Sequence, residues 1–555
     1  MLIDARTLPA GTTIESDICI IGAGPAGITL AREFMGQDFR VCLLESGGAE
    51  SDQATQSLCQ GENSGDLYQD LCKSRHRQFG GTANEWHITI TPEEIGGRCG
   101  PLEAIDFEKR DGIPYTGWPF DRAYLDPFYQ RAQQLCQMGP FAYSANAWED
   151  DKNPRLPFLD GKVATTVYQF TPRGAFTQEY QEELRRADNI TTYLHANVVD
   201  IETNEVAKTV TRVQVACLEG DCFWVSAKLF ILATGGIENA RLMLLANETQ
   251  NVGLGNQNDL VGRFFMDHPG LSYMFFPNQR QIFNSTALYD LRRVKGTAIK
   301  GKLVLTEEVK RQEKLLNSGA LIHPRPKGFR SQAVSSLKTL LSSARKAQVP
   351  SQPFKHLGNV VNGADELALS TYRRLRKIQP ILPNDIEGGW SHLPHKEKQF
   401  ASFQISQMIE QAPNPDSRVL LSDERDRLGR RQVKLHWSWH ELDVYSVKRT
   451  YEILDAELRR SGIGRLESDW QFEGKDLTDT SAHHHIGTTR MHDDPKQGVV
   501  DANCQVHGMS NLFVAGSSVF PTGGYVNPTL TIIALALRLA DHVKQQMAAQ
   551  MATIN

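Results

Sequence analysis

The stretch IIGAGPAGITLARE, residues 20–33, overlaps an apolar run, ICII (18–21), and is followed by a second one, VCLL (41–44). Strand, glycine turn, helix and strand in that order make a βαβ unit. Gly22, Gly24 and Gly27 stand as G-x-G-x-x-G at the strand-to-helix junction. In such a turn the first glycine permits the tight bend and the second lets backbone approach a pyrophosphate. The third lets helix and strand pack closely. The helix N-terminus offers unpaired N–H groups and the positive end of its dipole to phosphates. Glu45, 23 residues after Gly22, ends the second run, where a carboxylate can accept hydrogen bonds from a ribose diol. The glycines alone are a weak signal. With the flanking elements and the terminal acid, they predict a dinucleotide site.

The remaining sequence narrows the class of protein. The chain has 555 residues, enough for three or four units at roughly 100–200 residues each, or for two large ones. With 40% hydrophobic and 23% charged residues and a net charge of −5, it has ample material for a core. That balance excludes a disordered chain and argues against a basic nucleic-acid binder. The nine cysteines form no C-x-x-C pair; neither a disulfide framework nor a metal centre is expected. No secretory signal is visible, and no uncharged apolar stretch reaches the ~18–20 residues of a bilayer span. A cytoplasmic protein is the expectation.

Three further segments favour FAD over NAD. LFILATGGIENARLM (229–243) is an apolar strand that ends at Ala233 and Gly235 before a helix start, and NLFVAGSSVFPT (511–522) is another strand ending at Gly516-Ser517. HRQFGGTANEW (76–86) is a glycine loop, carrying Gly80, Gly81, Thr82 and Asn84, that is too polar for a core. A long cofactor held inside the protein needs contacts from such distant parts of the chain.

Near the C-terminus stand HHIGTTRM (484–491) and GGYVNPTLTIIALALRLADHV (523–543). In the second, Asn527 is a good N-cap, Pro528 suits the first helical position and Thr529 continues the turn. A helix starting there directs its positive end at whatever lies in front of it, which suits the negative pyrimidine edge of a reduced flavin. His484, neutral near pH 7, can serve as a base. The adjacent His483 and His485 would point to other faces of an extended segment.

These motifs resemble the glucose–methanol–choline (GMC) family of flavin-dependent oxidoreductases. The resemblance covers the N-terminal fingerprint, FGGTANEW, the WPFDRAYLDPFY segment that starts at Trp118, ATGGIENARLML, and the H-x-x-G-T and N-P-T-L-T pair, in which His484 and Asn527 are 43 residues apart. Residues 270–470 match poorly. The resemblance implies FAD and an alcohol substrate. It implies that His484 takes the hydroxyl proton while Asn527 holds the oxygen, and that Val198 offers backbone contacts to the adenine. His268, in FFMDHPG, resembles a family segment close to the FAD, with a structural role no less expected. Some sugar-oxidising relatives attach the flavin to a His before the Trp of the glycine loop; here Glu85 precedes Trp86 and His87 is out of register, so noncovalent FAD is expected. The Asn variant of the pair and WPFDRAYLDPFY look most like the pyranose-oxidase and sugar- or glycoside-dehydrogenase branch. That suggests oxidation of a secondary ring hydroxyl, with oxygen or another acceptor taking the electrons. A nonsugar alcohol is the alternative, as is a nonredox lyase or decarboxylase of the same fold. Trp86, Trp390, Trp437 and Trp439 are candidate stacking faces for a sugar ring. Glu410 and Gln411 are candidate hydroxyl partners, although a surface turn around Pro413 and Pro415 would explain them equally.

The expected architecture is α/β. Residues 1–95, 190–270 and 480–555 form a discontinuous Rossmann-like FAD domain; 96–189 and 271–479 form a substrate domain on an antiparallel sheet. The latter carries a basic helical insertion, about 321–400, with thirteen Lys/Arg against five acids. Val334, Leu337, Leu341 and Ala344 recur there at helical spacing, as do Ala368, Tyr372, Leu375 and Ile378. The favoured reading lays these stripes on the core and the charges in water. A membrane or protein docking surface is the less favoured one.

Overall fold

The run ICII forms the strand Ile18–Ile21, buried at every position, and VCLL forms Val41–Leu44 beside it in parallel. Between them the helix Pro25–Glu33 buries Ala26 to Ala31. The computed structural model describes residues 1–90, 92–329, 332–345, 349–377, 379–468 and 482–554. Its central sheet is parallel throughout, in the order Leu2–Asp4, Ile190–Leu194, Val41–Leu44, Ile18–Ile21, Leu229–Leu232, Leu512–Val514. Strands far apart in sequence thus end side by side. Ligands of open parallel sheets bind outside those carboxyl ends.

A second sheet has ten strands and is antiparallel except where Glu387–Gly388 joins Ile88–Ile90 in parallel. Its centre runs Glu93–Cys99, Val163–Pro172, Thr297–Leu305, Ser318–Pro326, Phe400–Ile409, Gly270–Pro277. The fold is therefore α/β with a Rossmann-like parallel sheet and a large mixed sheet, as expected. A three-stranded sheet pairs Gly61–Gly65 with Arg431–Trp437, joining a segment near the N-terminus to one 370 residues on.

The helical insertion departs from the expected packing. It forms helices Gln332–Arg345, Pro353–Asn362 and Ala364–Leu375, and the second and third contain no buried residue. Val334 and Leu337 are half-buried, but Leu341, Ala344, Ala368, Tyr372 and Leu375 are exposed. The stripes are not laid on the core, because the helices pack against one another through small and polar groups. Ser336 Oγ meets His356 Nδ1 at 3.0 Å and accepts from Asn359 Nδ2 at 3.1 Å. Arg330, Lys346 and Ile378 lie outside the described residues.

Gly27 has no room for a side chain: a Cβ there would lie 1.9 Å from the Gly22 carbonyl oxygen. Gly27→Ala must therefore push the helix off the sheet, and it is expected to cost about 2 kcal/mol or more. Thermal unfolding measures this; an unchanged midpoint would contradict the packing.

Candidate active site

Three parallel strands end in glycines that share one property. A Cβ at Gly24, Gly235 or Gly516 would meet no protein atom within 4 Å, and all three line a cavity of about 590 Å³. Gly22, by contrast, bends at φ +105° hard against the Ala233 carbonyl, 2.6 Å from its ideal Cβ. The turn is thus closed on its protein side and open on its cavity side. Gly24 precedes Pro25 at the helix start without any side-chain cap, so the first N–H groups remain free for a phosphate. Gly81, at φ +54°, brings the glycine loop within 3.2 Å of the Gly24 Cα, measured from its ideal Cβ.

Glu45 is buried and accepts from the backbone N–H of Ala23 (2.9 Å) and Gly47 (2.8 Å) and from Ser46 Oγ at 3.1 Å. Burial pushes its carboxyl above the ordinary range, against those hydrogen bonds. Val198, Ala233, Thr82, Ser517, Pro528 and Thr529 also line the cavity. Three expected cofactor residues do not. Gly27 packs on Gly22, as its place in the fingerprint implies, and Gly80 donates its N–H to the Ala23 carbonyl at 2.8 Å. Asn84 turns its amide back onto the carbonyls of Phe79 (2.9 Å) and Gly81 (2.8 Å), so it shapes the loop rather than the cavity. An uncapped helix start, a buried carboxylate at the next strand end and three open glycines fit a dinucleotide cofactor.

An ionic cluster missed in the sequence also borders the cavity. Glu238 Oε1 pairs with Arg75 at 2.7 Å and Arg77 at 3.2 Å; its other oxygen pairs with Arg241 at 3.3 Å. The three guanidiniums outweigh the burial that opposes ionisation and hold the Glu238 carboxyl down to about 2.

His484 and Asn527 meet in the wall of the same cavity. The segment around His484 is clamped on both sides. Ile486 exchanges backbone hydrogen bonds with Met266 at 3.0 Å each, and Gly487 and Thr489 donate to the carbonyls of Ser517 (3.1 Å) and Ser518 (2.8 Å). Asp267, fully buried, accepts from the backbone N–H of His484 (2.7 Å) and His268 (2.6 Å) and from the Tyr68 hydroxyl (2.5 Å). His483 turns to Gln69, and His485 packs on Phe265 with centroids 5.7 Å apart. The three consecutive imidazoles therefore separate. No three His, Cys, Asp or Glu side chains among the described residues are grouped to hold a metal ion.

The C-terminal helix is assigned from Thr529, and Pro528 O accepts its first bond, from Ile532 N at 2.8 Å. Asn527 thus precedes the cap by one residue, unlike the N-cap role expected for it, and its amide is free for other partners. Asn527 Oδ1 accepts from Arg98 Nε at 3.0 Å, and Asn527 Nδ2 lies 3.1 Å from His484 Nε2. Because a guanidinium only donates, Arg98 decides which end of the amide is which. Nδ2 then donates to His484, so Nε2 carries a lone pair. The proton of that imidazole sits on Nδ1, 3.0 Å from His268 Nδ1, which must accept it. His268 is thus a positioning group. Burial pushes it down to about 4, consistent with a neutral acceptor. Burial, then His268 and Arg98, hold His484 well below its ordinary pKa.

Other expectations fail. Of the four tryptophans only Trp86 lines the cavity; Trp390 and Trp437 are buried in the core and Trp439 packs against it. Glu410 is neither a surface-turn residue nor a cavity residue: it is buried and forms a bidentate pair with Arg110, at 2.6 and 2.8 Å. Gln411, also buried, accepts from the Asp267 N–H and the Trp437 indole, both at 2.9 Å. Arg98, Asp267 and Tyr68 escaped the sequence reading. Only the unusual Gly96-Gly97-Arg98 run within a strand marked the first of them.

Comparison with known proteins agrees with this geometry. Residues 413–536 match the family model described as GMC oxidoreductase. The fructose dehydrogenase large subunit of Gluconobacter japonicus is 26% identical over 58% of this chain and 47% of its own. The 2-methyl-1,2-propanediol dehydrogenase of Mycolicibacterium austroafricanum is 25% identical over 64% of this chain and 54% of its own. The chain is thus similar to GMC oxidoreductases, through residues 413–536 above all. It spans about half the length of these curated relatives. A formate oxidase crystal structure shares the fold, with TM-score 0.53 at 16% identity over 97% of this chain and 99% of that one. The family implies FAD, and the cavity described above has the groups to hold one.

Two substitutions separate cavity from scaffold. Gly24→Val points its side chain into open space, so the protein should purify without flavin yet melt like flavin-free wild type; full flavin absorbance in that variant would show the turn misread. Arg98→Gln removes a positive charge facing His484, and a charge that disfavoured imidazolium is thereby lost. The His484 pKa rises, and the acid limb of the rate profile should move to higher pH, with the maximal rate reduced about tenfold or more. An unmoved limb would detach Arg98 from the base.

Proposed function

We propose that this chain is a GMC oxidoreductase that oxidises an alcohol to a carbonyl compound, with His484 as the base and Asn527 as the group that holds the oxygen. The observation that carries the reading is the approach of His484 Nε2 to Asn527 Nδ2, 3.1 Å apart, in the wall of the cavity that the dinucleotide turn also lines. A hydroxyl that displaces this direct hydrogen bond donates its proton to the Nε2 lone pair and accepts from Nδ2. As the proton leaves, alkoxide character at oxygen weakens the carbinol C–H bond. FAD, when bound, supplies the acceptor for the hydride released from that carbon. Gly22, Gly24 and the Pro25 helix would hold its pyrophosphate, Glu45 its ribose, Val198 its adenine end, and Gly516 to Thr529 the region near the reacting end. The free N–H groups of the helix starting at Thr529 favour negative charge in front of them. Arg98 opposes a resting imidazolium, which keeps the base neutral before reaction and hastens its return afterwards.

A secondary ring hydroxyl of a sugar or glycoside is the lead substrate. The similarity to fructose dehydrogenase and the Trp86 face on the cavity wall support it. A small nonsugar alcohol is the second reading, supported by the similarity to 2-methyl-1,2-propanediol dehydrogenase over a larger share of the chain. FAD is held noncovalently in this reading. Glu85, at the position before Trp86, is tied to His76 at 3.1 Å.

Anaerobic mixing with sugars, glycosides and small diols tests the proposal through the flavin absorbance. Bleaching by a ring-bearing substrate supports the lead reading, and bleaching by diols alone supports the second. Turnover without bleaching would falsify oxidation itself. His484→Ala should keep its flavin and lose about 100-fold or more of the bleaching rate, as expected for a lost general base; a wild-type rate would remove His484 from the chemistry.

A further inference from the structure

The three-helix insertion, whose apolar stripes face outward, presents a surface that the oxidation chemistry does not use. Of the eighteen large apolar side chains exposed among the described residues, ten fall between 341 and 386. Those on the second and third helices keep helical register. Phe354, Leu357 and Val361 recur on one face of Pro353–Asn362, with Phe354 86% and Val361 73% exposed. Tyr372 and Leu375, the latter 79% exposed, do the same on Ala364–Leu375. A scattered exposed leucine needs no explanation, but a set this dense marks an interaction surface.

The charges around it point to its occupant. Lys338, Arg345, Lys355, Arg374, Arg376 and Lys377 have no carboxylate partner among the described residues; of the lysines and arginines described in the insertion, Lys327 pairs with Asp365, at 2.6 Å. Residues 321–400 carry +8 in a chain of total −5, so the remainder carries −13. Positive charge is therefore concentrated in the segment that exposes apolar side chains.

We propose that this insertion docks the protein on the surface of an anionic lipid bilayer, with its apolar side chains in the acyl boundary and its lysines and arginines among the headgroups. Amphipathic helices that lie in a membrane interface combine these residue types. A second copy of the chain is a poor fit, because it would bring +8 against +8. A protein partner fits less well, since the cores of protein interfaces are depleted in lysine. Among the described residues no helix is long and apolar enough to cross a membrane, so the contact is a peripheral one. The root of the insertion also meets the active-site cavity: Asp385 and Ile386 line it, and Lys300 Nζ holds the neighbouring Asn384 carbonyl at 2.9 Å. A docked protein would therefore hold its cavity next to the bilayer, where a lipid-soluble substrate or electron acceptor resides.

The test is co-sedimentation of the flavin-loaded full chain with phosphatidylglycerol–phosphatidylcholine vesicles and with phosphatidylcholine vesicles. Binding is expected to the anionic vesicles alone and to fall as salt is raised. The double substitution Phe354→Glu, Leu375→Glu lies on exposed positions and should lower that binding about tenfold or more. Its flavin content and melting temperature should match wild type, which separates lost docking from lost folding. Binding to both vesicle types alike, to neither, or undiminished in the double variant overturns the proposal. So does a concentration-dependent dimer that the same substitutions abolish, since that would assign the face to a second copy.

Discussion

An amide cannot be read until something decides which of its ends donates, and in this protein Arg98 does so for Asn527. The guanidinium fills Oδ1, Nδ2 must then face His484, and the imidazole is left with its lone pair at Nε2 and its proton at Nδ1. One hydrogen bond therefore sets the polarity of a relay that ends on His268. Reversing any member would aim two donors or two lone pairs at each other in a buried site, at a cost of about 1–3 kcal/mol per unsatisfied group. The arrangement also keeps charge out of the relay. A guanidinium on one side and a desolvated imidazole on the other both disfavour an extra proton on His484, so the imidazole rests neutral.

This relay needs a rigid frame, and the frame is mostly backbone. Asp267 is a buried carboxylate with three donors, two of them the main-chain N–H groups of the histidines it orients. Burial raises its pKa, and the hydrogen bonds from Tyr68, His484 and His268 oppose that rise. The carboxylate fixes two segments, 264–268 and 484–487, that the chain separates by more than 200 residues. On the opposite side the strand ending at Val514 supplies the carbonyls of Ser517 and Ser518. His484 is therefore held by the parallel sheet that also presents the glycine turns, which gives imidazole and turns a common origin in one element.

What could be read from sequence divides along a physical line. The βαβ turn, the buried strands and the helix near Pro528 were legible because each is specified by local pattern: apolar runs, glycines at fixed offsets, proline at a helix start. The structure does bring together His484 and Asn527, which the sequence paired by motif, yet the N-cap role expected of Asn527 was not realised. Its amide is engaged by Arg98 from a strand 429 residues away. Arg98, Tyr68 and the Arg75–Glu238–Arg241 cluster were illegible for the same reason: a charged residue in an ordinary strand or loop gives no sign of which distant group will face it. Glu410 and Gln411 erred the other way, since a polar pair beside two prolines looks like surface until Arg110 and Asp267 are placed against it.

The insertion shows the limit of periodicity as an argument. A stripe of apolar residues at helical spacing says that a helix has a face, not what the face meets. In Pro25–Glu33 the face meets the parallel sheet and is buried. In Pro353–Asn362 a comparable spacing leaves Phe354 and Val361 in water, because the neighbouring helix contacts it through Ser336 and Ala333 instead. Sequence distinguishes the two cases only by composition. The first helix carries one arginine and no lysine, while the 321–400 stretch carries thirteen cations. A helix bound for a core has no use for charge on its flanks, whereas one that settles on a negatively charged surface gains from every cation beside its apolar face.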